Sequence, residues 1–222
     1  PLDDGEYRHY RLEALSFPSS GDNGQDGGLV EARYYRSKLQ GRKPLVIVLP
    51  VWGGSGYAPR RVAGHLLRSS EGAWNVLRVL GPTPLLDWDV ILQAADEEDY
   101  VRRWKLVVDR DRATVVDILR IFRWAQSQPE LDGTRVGLVG FSHSALLAAL
   151  AAAQEPRLAA AVLVMGGARP HAIMARCHYS GIAAVRRMAL ERFGWSQEEY
   201  EARLREVFGC LGPNGAGKTT TM

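Results

Sequence analysis

From Leu45 to Leu49 every position is apolar (Leu45, Val46, Ile47, Val48, Leu49). This lack of alternation predicts a strand buried on both faces, as in the centre of a parallel sheet. Upstream, residues 6–17 and 29–38 read as two strands joined by a turn-rich run, Ser19 to Gly28, which predicts an N-terminal hairpin. Downstream, a Gly-rich turn (Trp52, Gly53, Gly54, Ser55, Gly56) leads into a helix over 59–69, where Pro59 suits a first helical turn. Residues 74–80 form the next strand, followed by an excursion through Pro82, Pro84 and Asp87. Over 99–126, Val101, Trp104, Val108, Val115, Ile118, Leu119, Phe122 and Ala125 recur at helical spacing and predict one buried stripe. A strand over 135–141, an Ala- and Leu-rich helix over 144–154 and a strand over 159–165 complete an alternation that predicts a doubly wound, mostly parallel α/β sheet. Past Gly167 the pattern becomes purely helical, over 180–193 and 196–208. The second helix is opened by Ser196 with Glu199 three residues on, a capping-box spacing. Such a pair predicts a lid or cap. No internal repeat is present.

Composition narrows the class. A sequence of 222 residues, 46% hydrophobic and 24% charged, is able to bury a substantial core, which excludes disordered and fibrous classes. The apolar runs 145–153 and 158–168 fall short of the roughly 20 residues that span a bilayer, so no membrane insertion is expected. The net charge is +3 and the pI about 9.0. The bases nevertheless alternate with acids (Asp99, Arg102, Arg103, Asp109, Arg110, Asp111, Arg112), which describes a solvated face and not a nucleic-acid stripe. Two cysteines, Cys177 and Cys210, make neither a disulfide framework nor a metal-ligand spacing. A cytoplasmic setting is the resulting expectation. The N-terminus carries no initiating Met and no leader pattern, so a missing start is expected.

Chemistry concentrates at Gly140, Phe141, Ser142, His143 and Ser144, where an apolar strand meets the Ala-rich helix. A serine on a sharp strand-to-helix turn needs small neighbours, since sheet and helix approach closely there. Gly140 and Ser144 are small, although the usual pattern ends in Gly. Together with the preceding Leu131, Asp132, Gly133, Thr134, Arg135, Val136, Gly137, Leu138 and Val139, the segment resembles the α/β-hydrolase superfamily. The nearest branches are those of esterases and dienelactone hydrolases, and the resemblance runs over about residues 6–205. It implies an α/β-hydrolase-like fold, Ser142 as nucleophile, a small acyl substrate and no cofactor. It further implies an oxyanion hole made by the backbone N–H of His143 and one from the loop 50–56, with Trp52 as the expected donor. The competing readings are an ordinary helix N-cap for Ser142 and a plain Gly-rich turn for the loop.

In the order of that superfamily the acid and then the base follow the nucleophile on later strands. After Met165 only helices are expected, so the triad acid and base are expected to be absent and the sequence to be truncated at its C-terminus. His9, His65, His143, His171 and His178 read as surface or packing histidines, and neither Asp87 nor Asp89 is marked out as the acid.

The tail carries a separate motif. Gly212, Pro213, Asn214, Gly215, Ala216, Gly217, Lys218 and Thr219 fit Gly-x-x-x-x-Gly-Lys-Ser/Thr, in which amides cradle phosphates, the lysine reaches the terminal ones and the threonine holds Mg²⁺. Residues 206–222 resemble the corresponding segment of ABC transporter ATPases. ATP and Mg are therefore implied only if this tail works. The expected organisation is a hydrolase core over 1–168, a helical cap over 169–205 and a phosphate-loop fragment over 206–222. Three functions remain open: a serine hydrolase impaired by its missing acid and base, an ATP-binding fragment, and a hydrolase-fold scaffold without chemistry. Oligomeric state is not legible.

Overall fold

A computed structural model describes residues 8–20, 28–51, 56–81, 88–167 and 169–209. Its elements are β1 (Tyr10–Pro18), β2 (Leu29–Ser37), β3 (Lys43–Val51), α1 (Tyr57–Ser70), β4 (Asn75–Val79), α2 (Trp88–Leu92), α3 (Glu97–Ser127), β5 (Leu131–Phe141), α4 (His143–Gln154), β6 (Ala160–Val164), α5 (Pro170–Arg176), α6 (Ser180–Phe193) and α7 (Gln197–Phe208). Two compact units result, Pro1–Leu85 with Ala113–Gly166, and Leu86–Arg112 with Gly167–Met222.

The first unit holds a six-stranded sheet in the order β1-β2-β4-β3-β5-β6. β1 pairs antiparallel with β2, and β2 antiparallel with β4. The four remaining strands run parallel, with Val48 of β3 opposite Arg78 of β4 on one side and Val139 of β5 on the other. Alternation along β3 to β5 sends one set of side chains to each face. Leu45, Ile47, Leu77 and Leu138 pack with Ile118, Phe122 and Ala125 of α3 and with Leu147, Ala148 and Ala151 of α4. Val48, Val76, Val139 and Phe141 pack on the opposite face with Ala63 and Leu67 of α1. Both faces of the central strands are thus covered, which is why β3 carries an unbroken apolar run. The hairpin is tied down by Asp117 of α3, whose carboxylate accepts from the Ser19 and Ser20 hydroxyls and from the Ser20 amide.

The second unit is helical. Tyr100 and Trp104 of α3 pack edge to face with Phe193, Trp195 and Phe208. Arg192 donates to the carbonyls of Ala94 and Ala95, and the Arg203 guanidinium lies 4.4 Å from the Trp195 ring centroid. Burial pushes the Tyr100 phenol up to about 12.

Several expected elements differ in extent. The helix expected over 99–126 forms, but its apolar stripe serves two cores: Tyr100 and Trp104 count with the second unit, and Ile118, Phe122 and Ala125 with the first. β5 begins four residues earlier than the apolar run, because Leu131 pairs with Lys43 before a bulge restores register at Leu45–Val136. His9 lies in a turn ahead of β1 and not within a strand. α2 and α5 are additional helices; Pro170 at the start of α5 is the one local sign that marked it.

Candidate active site

The junction between β5 and α4 is built by three close approaches. Gly140 faces α4 so tightly that a Cβ there would lie 2.8 Å from Ala145 Cα and closer still to the Ser144 carbonyl oxygen. Gly166, just past β6, approaches α4 from the other side, where an added Cβ would lie 2.8 Å from Ala145 Cβ. Ser144, the departure from the usual glycine, is buried. Its hydroxyl accepts from the Phe141 amide at 2.8 Å and donates to the Phe141 carbonyl at 3.0 Å. The side chain that breaks the motif therefore clamps the turn.

Ser142 sits inside this clamp with φ 51° and ψ −118°, a backbone conformation that L-residues rarely adopt. Its amide donates to Val164 O at 2.8 Å, and its carbonyl accepts from the Ala145 amide at 3.1 Å. The N-cap role is not taken up by its side chain, since no cap hydrogen bond forms. Ser142 is exposed, and among the described residues no hydrogen bond reaches its Oγ. The backbone at Ser142 is strained, its side chain is exposed and its hydroxyl makes no capping hydrogen bond, a geometry compatible with a nucleophile elbow.

His143 is the first residue of α4 and half-buried, so its amide belongs to the helix turn whose N–H groups lack an intrahelical acceptor. Trp52, the other expected oxyanion donor, lies outside the described residues, as do Asp87 and Gly212, Asn214, Gly215, Gly217, Lys218 and Thr219. Asp89 stands in the first turn of α2. His65 and His178 are exposed, and His9 and His171 half-buried. Burial, reinforced by Arg205, lowers the His171 imidazole from its ordinary value. Among the described residues no group of three or more His, Cys, Asp or Glu side chains is arranged to hold a metal ion. No helix among them is long and apolar enough to cross a membrane.

The strand order and the sharp turn between β5 and α4 are those of an α/β-hydrolase fold, and comparison with solved structures supports it. Acetyl xylan esterase from Paenibacillus sp. R4 superposes with a TM-score of 0.57 at 18% identity, over 89% of this chain and 68% of that one. Acetyl xylan esterase 1 from Thermoanaerobacterium sp. JW/SL YS485 gives 0.52 at 17% identity, over 86% and 66%. Hypothetical protein PA2218 from Pseudomonas aeruginosa gives 0.55 at 16% identity, over 87% and 53%. The model of the X-Pro dipeptidyl-peptidase (S15) family matches residues 103–203, a span that includes Ser142 and ends before the phosphate-loop motif. A 59-residue stretch is 46% identical to malvidin galactosylase UGT88C3 of Oryza sativa subsp. japonica, covering 25% of this chain and 12% of that protein. So short a match carries no argument about fold or chemistry.

Proposed function

We propose that this chain is part of a serine hydrolase acting on an ester or related acyl substrate, with Ser142 as its nucleophile. The positive φ of Ser142 between β5 and α4 carries the reading: strain of this kind costs on the order of 1–3 kcal/mol and persists where a site has a use for it. In the proposed reaction Ser142 Oγ bonds to the acyl carbon and gives its proton to solvent water in this chain, the carbonyl π pair moves to oxygen, and the tetrahedral species collapses with loss of the protonated alcohol to leave an acyl-serine that water hydrolyses. The amides of His143 and Trp52 receive the oxyanion, and the chemistry calls for no cofactor. The esterases of similar fold and the S15 family match support hydrolysis at a serine.

We propose further that this chain, taken by itself, is an impaired hydrolase: among the described residues no histidine or carboxylate is hydrogen-bonded to Ser142 Oγ. Loss of triad partners lowers acyl transfer by orders of magnitude and leaves a residual contribution from oxyanion stabilisation and binding. A fluorophosphonate probe tests the assignment. Slow, saturable labelling that maps to Ser142 and vanishes in Ser142→Ala is expected. No labelling of folded protein over a day at pH 8 rejects the nucleophile and leaves a hydrolase-fold scaffold without chemistry.

A further inference from the structure

Arg78 stands one residue from the end of β4, is 7% exposed, and has a buried Nε with no hydrogen-bond partner. Its row on the sheet is fixed by register: Val48 of β3 lies on one side and Arg33 of β2 on the other. Alternation puts Arg78 on the same face as Val76, the face that α1 covers. On α1, Arg60 continues the stripe of Ala63, Gly64 and Leu67 at i, i+3, i+4 and i+7, at the end of the helix that starts just after β3. Helical side chains lean toward the N-terminus, so Arg60 reaches toward the carboxyl edge of the strands, where β4 ends. The Arg78 side chain is hydrogen-bonded to Tyr35, and both Arg33 and Arg60 are close enough to disfavour its charge. Desolvation is the larger part of that effect.

Register thus sets Arg33 beside Arg78 near the carboxyl ends of the parallel strands, the edge at which such sheets bind ligands, and Arg60 is near enough to act on the charge of Arg78. Glu31 shares the face of Arg33 on β2 but is exposed, and no carboxylate among the described residues forms an ion pair with Arg78. A buried charge without a counter-ion is costly, and an arginine fork fits a planar or tetrahedral oxyanion in two-point geometry. We infer that Arg78, assisted by Arg60 and Arg33, forms a binding site for a small oxyanion, the carboxylate or phosphate group of a ligand. The site is independent of the nucleophile assigned to Ser142, because it is read by binding and not by turnover.

The test titrates the 222-residue chain with inorganic phosphate and, separately, with acetate, against sodium chloride at equal ionic strength. A saturable rise in Tm of about 3–6 °C at ten times the dissociation constant is expected for at least one of the two anions. Which anion saturates identifies the source group. The rise disappears in Arg78→Met, and the affinity falls at least about fivefold in Arg60→Gln, an exposed position that leaves the fold intact. The inference is overturned if neither anion exceeds chloride or if Arg78→Met responds like the parent. Should Arg78→Met not fold, an unchanged affinity in Arg60→Gln overturns it equally.

Discussion

The backbone at Ser142 bears a conformational cost that its hydroxyl does not offset by capping, and that cost is measurable. Glycine populates positive φ without a steric penalty, whereas alanine does not. Ser142→Gly is therefore expected to be more stable than Ser142→Ala by about 1 kcal/mol, with both variants inert toward the probe. Equal denaturation midpoints would show that the residue bears no strain. The sharp turn at Ser142 was legible in the sequence because its neighbours are small. The clamp was not: Ser144 reads as a flaw in a pattern, and only the three-dimensional turn shows its hydroxyl satisfying both polar groups of Phe141. Arg78 was silent for a similar reason, since one arginine within a strand looks exposed until register places it beneath α1.

At the scale of elements, β5 opens on a local knot of hydrogen bonds. The Asp132 carboxylate accepts from the hydroxyl and amide of Thr134 and from Arg135 Nε, and it is held down at about 2, the Thr134 hydroxyl contributing most. Its folded-state value lies below its unfolded one, so the stabilisation is present above about pH 4 and fades as pH falls toward 2. Asp132→Asn should flatten the loss of stability between pH 4 and 2 while leaving the neutral-pH slope alone; a parallel curve for parent and variant in acid titration of unfolding would reject this. Elements with strong local signals were legible, including the unbroken apolar run of β3 and the Ser196–Glu199 capping box, in which both reciprocal bonds form. Ends and short helices were not. The start of β5 depends on a pairing with Lys43 more than 80 residues away, and α2 is too short for a periodicity to establish itself.

At the scale of the molecule, β6 is an outer strand among the described residues, pairing with β5 and with no other described strand. Val162, Leu163 and Met165 are exposed there, Met165 by 79%. An apolar edge with free backbone groups is a template for pairing between molecules. Concentration-dependent self-association is expected by light scattering, reduced in Val162→Lys, because a charge on an edge strand opposes stacking. A mass that stays monomeric from micromolar to several hundred micromolar would argue against this. The two-core use of α3 also belongs to this scale: a single periodic stripe in sequence does not record which residues will meet which neighbours.

The hydrogen bond from the Ser142 amide to Val164 ties the elbow to the edge strand. A proton held this way leaves for solvent only when the β5–β6 junction parts, so its isotope-exchange rate is a clock on that opening event. Slow deuterium uptake at this one amide would mean that the serine is presented by a closed junction, and rapid uptake that the edge frays as often as it pairs.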